Sequence, residues 1–219
     1  FAIRTWSPAG LLFAAWTFAN RGPRAKSLSE KYAAEFGEEY TKLNKKHIIP
    51  FIWQYTMSEL FTPYKIGPIE LKNRTIRSAA FEAMCPGQRP SQELFDYHTA
   101  VARGGIGMTT VAYAAVCQSG LSFENQLWMR EEIVPELKNL TDAIHAEGAK
   151  ASIQLGHCGN MSHRAICGCM PYGASRGFNL YSPTFVQKMN MKQINEVADA
   201  YGRAVELAIE AGFDAIEIH

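Results

Sequence analysis

Residues 149–157 read AKASIQLGH, and this stretch decides the fold class. The segment before it carries apolar residues at helical spacing, namely Ile133, Leu137, Leu140 and Ile144. Gly148 ends that predicted helix, which begins near Glu131, and a short apolar run over 149–155 follows as a predicted buried strand. A helix that ends at a glycine and leads directly into a buried strand indicates an α/β fold.

The same pattern of helix, glycine and strand occurs twice more. Ser91 is a typical N-cap for a helix that ends at Gly104. Asn190 and Gln193 resemble a capping pair for a helix that ends at Gly212. The predicted strands cover 75–80, 106–111, 149–155 and 213–218. The resulting order, β-α-β-α-β-α-β, predicts a parallel sheet covered by helices.

This order alone does not distinguish a closed barrel from an open, doubly wound sheet. No glycine-rich dinucleotide fingerprint follows any of the predicted strands, which weakens the open-sheet interpretation. A long loop is predicted between Gly156 and about Met189.

The composition excludes several classes of protein. The chain has 219 residues, with 22 Lys and Arg against 21 Asp and Glu, and 47% of its residues are hydrophobic. A net charge of +1 argues against a general nucleic-acid-binding protein, which would carry a basic excess. Five cysteines form no dense disulfide framework, and no apolar run is long enough for a transmembrane helix.

Residues 1–56 differ in composition from the rest of the chain. Residues 1–29 contain no Asp or Glu, which fits a targeting segment or mistranslated upstream sequence, and we favour the second interpretation. Residues 30–46 are rich in charge and carry aromatic side chains at helical spacing, which predicts an amphipathic helix. We expect an N-terminal extension over 1–56 and a domain over 57–219. The expected location is the cytoplasm, or an organelle if the extension is a targeting segment.

Candidate ligand-binding residues lie where the predicted strands end, since ligands bind at the carboxyl ends of strands in parallel α/β folds. The first strand leads into residues 78–82 (SAAFE), where the small residues would let a flat ligand approach the backbone or, as alanines, would simply pack in the core. Gln154 is polar within an apolar strand, so its amide needs both donor and acceptor partners. The pyrimidine edge of a flavin offers both, and a structural bond to the backbone is the alternative.

Two histidines lie at or just beyond strand ends, His157 and His219. Glu217 precedes His219 by two residues, so both side chains point to the same side of the last strand. Two polar side chains would be costly in a dry core, which predicts a polar pocket at the end of this strand. The same two histidines would also suit a metal-dependent barrel hydrolase.

The predicted loop contains a group of potential metal ligands, namely Cys158, His163, Cys167 and Cys169. The spacing between the cysteines matches no common structural zinc site. We therefore predict no metal site in this chain.

Six ordered segments resemble one known family. They are 60–67 (LFTPYKIG), 71–74 (LKNR), 77–79 (RSA), 103–107 (RGGIG), 153–157 (IQLGH) and 211–219 (AGFDAIEIH). Each segment alone is weak evidence, but together they resemble, in order and spacing, the N-terminal half of the Old Yellow Enzyme family of FMN-dependent oxidoreductases.

The resemblance implies a (β/α)8 barrel, truncated here to about its first four β/α units, that holds FMN at the carboxyl ends of its strands. It implies that NAD(P)H reduces the flavin and that hydride then passes to an activated C=C bond of an α,β-unsaturated carbonyl compound. The cofactor-binding residues implied by position are Ser78, Ala79, Ala80, Phe81, Tyr113 and Gln154, and the implied catalytic residue is His219. The implied partners are an enone-type small molecule and a second copy of the chain, without nucleic acid or membrane.

The chain departs from the family in two respects. Tyr113 stands where the family has a small residue near the flavin. His219 matches the first of two family residues that hydrogen-bond the substrate carbonyl. The second of these residues, and the tyrosine that donates the proton, would both follow His219 in the family. Because the chain begins at Phe1 and ends at His219, we expect a truncated barrel. A catalytically inactive half-barrel that acts only by association is therefore the alternative to an enzyme.

Overall fold

The computed structural model describes residues 59–180 and 183–219. Its strands are β1 (Tyr64–Ile66), β2 (Ile69–Leu71), β3 (Ile76–Arg77), β4 (Met108–Ala115), β5 (Lys150–Gly156), β6 (Tyr172–Gly173), β7 (Gly177–Asn179), β8 (Thr184–Lys188) and β9 (Ala215–Ile218). Its α-helices are α1 (Gln92–Arg103), α2 (Val134–Ala146), α3 (Arg164–Cys167) and α4 (Met191–Glu210). The charged helix predicted over 30–46 and the extension over 1–56 lie outside the described residues.

The centre of the fold is a parallel sheet with the strand order β3-β4-β5-β9. In register, Thr110 of β4 lies beside Ser152 of β5, which in turn lies beside Ala215 of β9. Helices α1, α2 and α4 provide the three crossovers between successive strands. The predicted alternation of strands and helices in a parallel sheet is therefore confirmed.

Local sequence signals set the ends of the helices. The Ser91 hydroxyl accepts a hydrogen bond from the backbone N–H of Leu94 at the start of α1. Asn190 and Gln193 form a reciprocal capping box at the start of α4. Gly212 follows α4 with a φ of 82°, a left-handed conformation that glycine adopts without strain.

The core lies between the helices and the sheet. Leu137, Leu140 and Ile144 of α2 are fully buried, and they pack in one cluster with Ile153 and Leu155 of β5. Each such side chain stabilises the fold by about 1.5–3 kcal/mol when it leaves water. The buried face of α4 consists of alanines, namely Ala200, Ala204 and Ala208. Small side chains at this spacing let the helix approach the sheet closely.

Three strands differ in length from their predictions. The last of them, β9, begins at Ala215 rather than at residue 213. Strand β3 ends at Arg77 rather than at residue 80. Beyond Arg77, the backbone N–H of Ala112 in β4 donates to Glu82 Oε2 over 3.2 Å instead of to the backbone of a neighbouring strand. Strand β4 begins at Met108 and continues to Ala115 rather than ending at 111. Its second half is rich in alanine, which carries no strong strand signal.

Two small sheets were not predicted. Strands β1 and β2 form an antiparallel hairpin before the central sheet. Strands β6, β8 and β7 form a three-stranded sheet within 156–189, which the sequence predicts to be one long loop. Within the residues described, no helix is both long enough and apolar enough to cross a membrane.

Candidate functional site

The carboxyl ends of the four parallel strands meet at one edge of the sheet, which we call the carboxyl edge. The segments that leave it begin at Ser78 after β3, at Val116 after β4 and at His157 after β5, while β9 ends there at Ile218. Ligands of parallel α/β proteins bind at this edge.

Residues 78–81 form an open stretch at the carboxyl edge. Ser78, Ala80 and Phe81 are exposed, and Ala79 is half-buried. The Phe81 ring packs against the ring of Phe123, with 4.3 Å between their centroids. The four residues therefore line a surface rather than fill the core.

Glu82 anchors this stretch to the neighbouring strand. Its Oε2 accepts the Ala112 N–H, and its Oε1 lies 3.0 Å from Arg77 Nη1 and 3.1 Å from His98 Nε2. The His98 contact is a close approach without hydrogen-bond alignment. Arg77 is fixed in turn by the Thr110 carbonyl, to which its Nη1 donates over 2.7 Å. Sequence reasoning missed this buried cluster, since nothing in the local pattern connects residues 77, 82 and 98.

An irregularity in β4 places Tyr113. The register between β4 and β5 shifts between Val111 and Ala114, a bulge of the kind that re-aims side chains near functional sites. The Tyr113 ring lies over Gly156, where an added Cβ would be only 2.0 Å from the ring. Burial raises the pKa of the Tyr113 phenol, so it stays protonated at neutral pH.

Gln154 and Glu217 face each other across β5 and β9. The two residues are in register, and Gln154 Nε2 donates to Glu217 Oε1 over 2.7 Å. Gln154 is 9% exposed, and its amide oxygen makes no hydrogen bond within the described part of the chain. The amide therefore keeps one acceptor and one N–H for a ligand, which fits the pyrimidine edge of a flavin.

His219 lies at the carboxyl edge beside Tyr113, with 5.8 Å between the ring centroids. Its backbone N–H donates to the Leu155 carbonyl, and its own carbonyl accepts from Tyr201 Oη. The imidazole is exposed. As the sequence predicts, Glu217 and His219 extend toward the side that Gln154 and Tyr113 occupy.

His157 is held by other protein groups. Its Nδ1 accepts the Gly159 N–H over 3.0 Å, so its Nε2 carries the proton and donates to Ser119 Oγ over 3.2 Å. The ring stacks on Tyr172, and burial lowers the pKa of His157. With both nitrogens engaged, His157 holds the loop and is not arranged as a metal ligand.

The cysteine and histidine side chains of the loop form no metal cage. Among residues 59–180 and 183–219, no group of three or more His, Cys, Asp or Glu side chains is placed to hold a metal ion. The metal-dependent hydrolase considered above would need His157, whose two ring nitrogens are both held by protein groups.

Comparison with known proteins identifies the family. Residues 59–219 match the sequence profile of the NADH:flavin oxidoreductase / NADH oxidase family. The chain belongs to this family. One curated relative is the 4,4'-dithiodibutanoate disulfide reductase of Rhodococcus erythropolis, which is 38% identical over 160 residues. Another is the NADPH dehydrogenase of Listeria welshimeri, 34% identical over 171 residues.

Solved structures of flavin oxidoreductases share the fold. The old yellow enzyme homologue from Zymomonas mobilis matches with a TM-score of 0.67 at 23% identity, over 74% of this chain and 48% of that one. Morphinone reductase in complex with tetrahydroNAD matches with a TM-score of 0.68 at 22% identity, over 73% of this chain and 48% of that one. The prediction that this chain has the fold of about half a (β/α)8 barrel is confirmed.

The chain spans about half the length of the family members that it matches. The match covers 73% of this chain but 40% of the Rhodococcus protein, and 74% of this chain but 48% of the Listeria protein. Residues 1–53 match a different profile, that of 3-oxo-5-alpha-steroid 4-dehydrogenase. These residues lie outside the described part, so their assignment as an extension stays a prediction.

Proposed function

We propose that this chain contributes the flavin-binding side of an NAD(P)H-dependent oxidoreductase that reduces activated C=C bonds of α,β-unsaturated carbonyl compounds. The observation that carries the proposal is the placement of Gln154. The side-chain amide of Gln154 is nearly buried, and its oxygen accepts no hydrogen bond within the described part of the chain. It lies at the carboxyl edge of a domain that belongs to a flavin oxidoreductase family. FMN is the cofactor that fits, and it would supply two-electron hydride chemistry when bound.

The residues around Gln154 would receive the cofactor. Its amide oxygen would accept a ligand N–H, and its remaining Nε2 hydrogen would donate to an adjacent carbonyl. The exposed surface at 78–81 would lie along one side of the flat ring system. The Glu82 carboxylate, which ties this surface to the Ala112 N–H, would keep it in place when the ligand is absent.

His219 would act on the substrate. Its exposed imidazole can donate a hydrogen bond to a carbonyl oxygen, which stabilises the negative charge that develops there as hydride reaches the β-carbon. The Tyr113 ring beside it would restrict the space open to the substrate. The protonated phenol of Tyr113 adds no charge to this pocket.

Binding of FMN to Gln154→Leu tests the proposal. The substitution removes both ligand hydrogen bonds, each worth about 0.5–1.5 kcal/mol, so we expect FMN affinity to fall about 10- to 100-fold. Fluorescence titration of FMN measures this change. Gln92→Leu is the matched control, because Gln92 is exposed on α1 and its side chain donates to Asp96 on the same helix. A wild-type chain that does not retain FMN, or equal affinity in both variants, would contradict the proposal.

An organic disulfide is the second candidate substrate. The Rhodococcus relative, at 38% identity, is named a 4,4'-dithiodibutanoate disulfide reductase. The rate of NADPH oxidation by the FMN-loaded chain distinguishes the two substrate classes. It is measured in parallel with cyclohexenone and with 4,4'-dithiodibutanoate as the substrate. Faster turnover of the enone supports the first proposal, and faster turnover of the disulfide supports the second.

A further inference from the structure

Cys167 and Cys169 lie side by side in the loop between β5 and β6. Their sulfur atoms are 3.8 Å apart, and Cys167 Sγ also donates to the Cys169 carbonyl. Gly168 between them has a φ of 71° and a ψ of 0°. This left-handed conformation of Gly168 folds the chain back, so that the side chains of the two cysteines lie together.

The two thiols differ in accessibility. Cys167 is 2% exposed, whereas Cys169 is only partly covered. A reagent from solution therefore reaches Cys169 first. Cys167 lies behind it, and a small rotation of the side chain would bring the two sulfur atoms to bonding distance. Such an arrangement gives the pair an attacking sulfur and a resolving sulfur.

The other three cysteines are engaged elsewhere. Cys158 Sγ donates to the Leu121 carbonyl, Cys117 Sγ contacts the Ser119 hydroxyl, and Cys85 is buried in the core. All five thiols are unbridged in the structure. Cys117 and Cys158 lie near enough to Cys169 to affect its pKa, but the 167–169 pair is the one whose sulfur atoms are in contact.

We propose that Cys167 and Cys169 are a redox-active dithiol that exchanges with low-molecular-weight organic disulfides. The thiolate of Cys169 attacks one sulfur of the disulfide, so that a mixed disulfide forms and one thiolate leaves. Cys167 then loses its proton to solvent and attacks the Cys169 sulfur, which releases the second thiolate. The two cysteine thiols are oxidised to one disulfide, the external disulfide is reduced to two thiols, and the released thiolates take up the two protons.

The dithiol lies at the carboxyl edge. Gly168 approaches Gln118 in the segment after β4, where an added Cβ would be 3.1 Å from the Gln118 amide nitrogen. Formation of the disulfide would fix this turn against the segments that follow β4 and β5. On the protein side the exchange uses only the two cysteine sulfur atoms, so it does not depend on the proposed flavin chemistry.

Peptide mapping of the 219-residue chain tests the proposal without FMN or NAD(P)H. The reduced protein is incubated with hydroxyethyl disulfide, alkylated with iodoacetamide, digested with trypsin and analysed by mass spectrometry. The incubation is run near pH 9, since burial raises the pKa of Cys169 to about 11 and the thiolate is the reacting form.

The positions of lysine and arginine place the 167–169 pair in a different tryptic peptide from Cys117 and Cys158. One tryptic peptide, 165–176, contains both cysteines, while Cys117 and Cys158 fall in the separate peptides 104–130 and 151–164. We expect peptide 165–176 to lose the mass of two hydrogen atoms and to escape alkylation. Full alkylation of this peptide, or its cross-linking to 104–130 or 151–164, would overturn the proposal.

Single substitutions separate the roles of the two sulfurs. Cys167→Ser should trap the mixed disulfide, so that Cys169 carries one half of the reagent. Cys169→Ser should leave Cys167 unmodified because that sulfur is buried. Cys117→Ser and Cys158→Ser are matched controls that should still form the internal disulfide. The mapping of the unsubstituted chain decides the proposal even if a variant fails to fold.

Discussion

Tyr113 and Gly156 fit together at the carboxyl edge because Gly156 has no side chain. A Cβ at this position would lie 2.0 Å from Tyr113 Cε2, far inside van der Waals contact. We expect Gly156→Ala to lower the free energy of unfolding by about 1–3 kcal/mol, measured by urea denaturation. In the double variant Tyr113→Ala/Gly156→Ala the loss should be smaller than the sum of the single losses. Strict additivity would show that the clash is not the cause.

Asp214 connects three parts of the fold through one carboxylate. It accepts hydrogen bonds from Lys150 Nζ, His145 Nε2 and the Ala151 N–H. Burial opposes ionisation of this carboxyl, but these three donors outweigh burial and hold the pKa of Asp214 below its ordinary value. A carboxyl whose folded-state pKa is lowered adds stability above its unfolded pKa of about 3.9.

The stabilisation from Asp214 is therefore lost as the pH falls through its lowered folded-state pKa. We expect Asp214→Asn to lower the free energy of unfolding at neutral pH by about 1–3 kcal/mol, and the difference from wild type to shrink below about pH 4. Urea denaturation at several pH values measures this. Asp142→Asn removes only an exposed helical ion pair with Lys138 and serves as the control. A difference that persists in acid would exclude the carboxylate as its source.

Helix α4 carries a glycine on its exposed face. Gly202 has open space around the position of a Cβ, in contrast to Gly156. Because glycine costs a helix about 0.5–1 kcal/mol relative to alanine, we expect Gly202→Ala to stabilise the protein by that amount. Thermal or urea unfolding measures the change. We thus expect a glycine-to-alanine substitution to raise the free energy of unfolding at Gly202 and to lower it at Gly156. A loss of stability at Gly202 would show that the helix packs against something there.

Helices α1, α2 and α4 were predictable because their boundaries are encoded locally, whereas the short α3 lies in a segment predicted to be a loop. Ser91 and Asn190 cap helices in the structure as their sequence context predicts. The end of β4 was missed because alanines carry little strand preference, and the sheet at β6, β7 and β8 was missed because its strands are short and irregular. Local propensity identifies an element well only when its residues favour one conformation strongly.

The candidate site was predictable only in part. Sequence placed Glu217 and His219 on the same side of the last strand, since the strand period fixes the direction of each side chain, and in the structure these residues contact Gln154 and Tyr113. The anchoring of Glu82 by Arg77 could not be predicted, because it depends on where β3 leaves the sheet. The contact between Tyr113 and Gly156 depends on the bulge in β4, which has no signal in this sequence.

The central sheet of the described residues has four parallel strands, whereas a (β/α)8 barrel has eight. In a closed barrel every strand has a neighbour on both sides. Here β3 and β9 each pair on one side only within the described residues, and each presents an exposed isoleucine, Ile76 and Ile218. Unpaired strands with apolar side chains are the surfaces through which sheets associate.

We expect a polypeptide of these 219 residues alone to self-associate through β9. Sedimentation equilibrium should show species larger than the monomer whose fraction rises with concentration. Ile218→Lys should shift the distribution toward the monomer, since a charged side chain on an edge strand opposes pairing with another strand. Ile209→Lys is the matched control, because Ile209 on α4 is 63% exposed and Ile218 is 61% exposed. Equal effects of the two substitutions would mean that apolar exposure in general, and not the open edge of the sheet, causes the association.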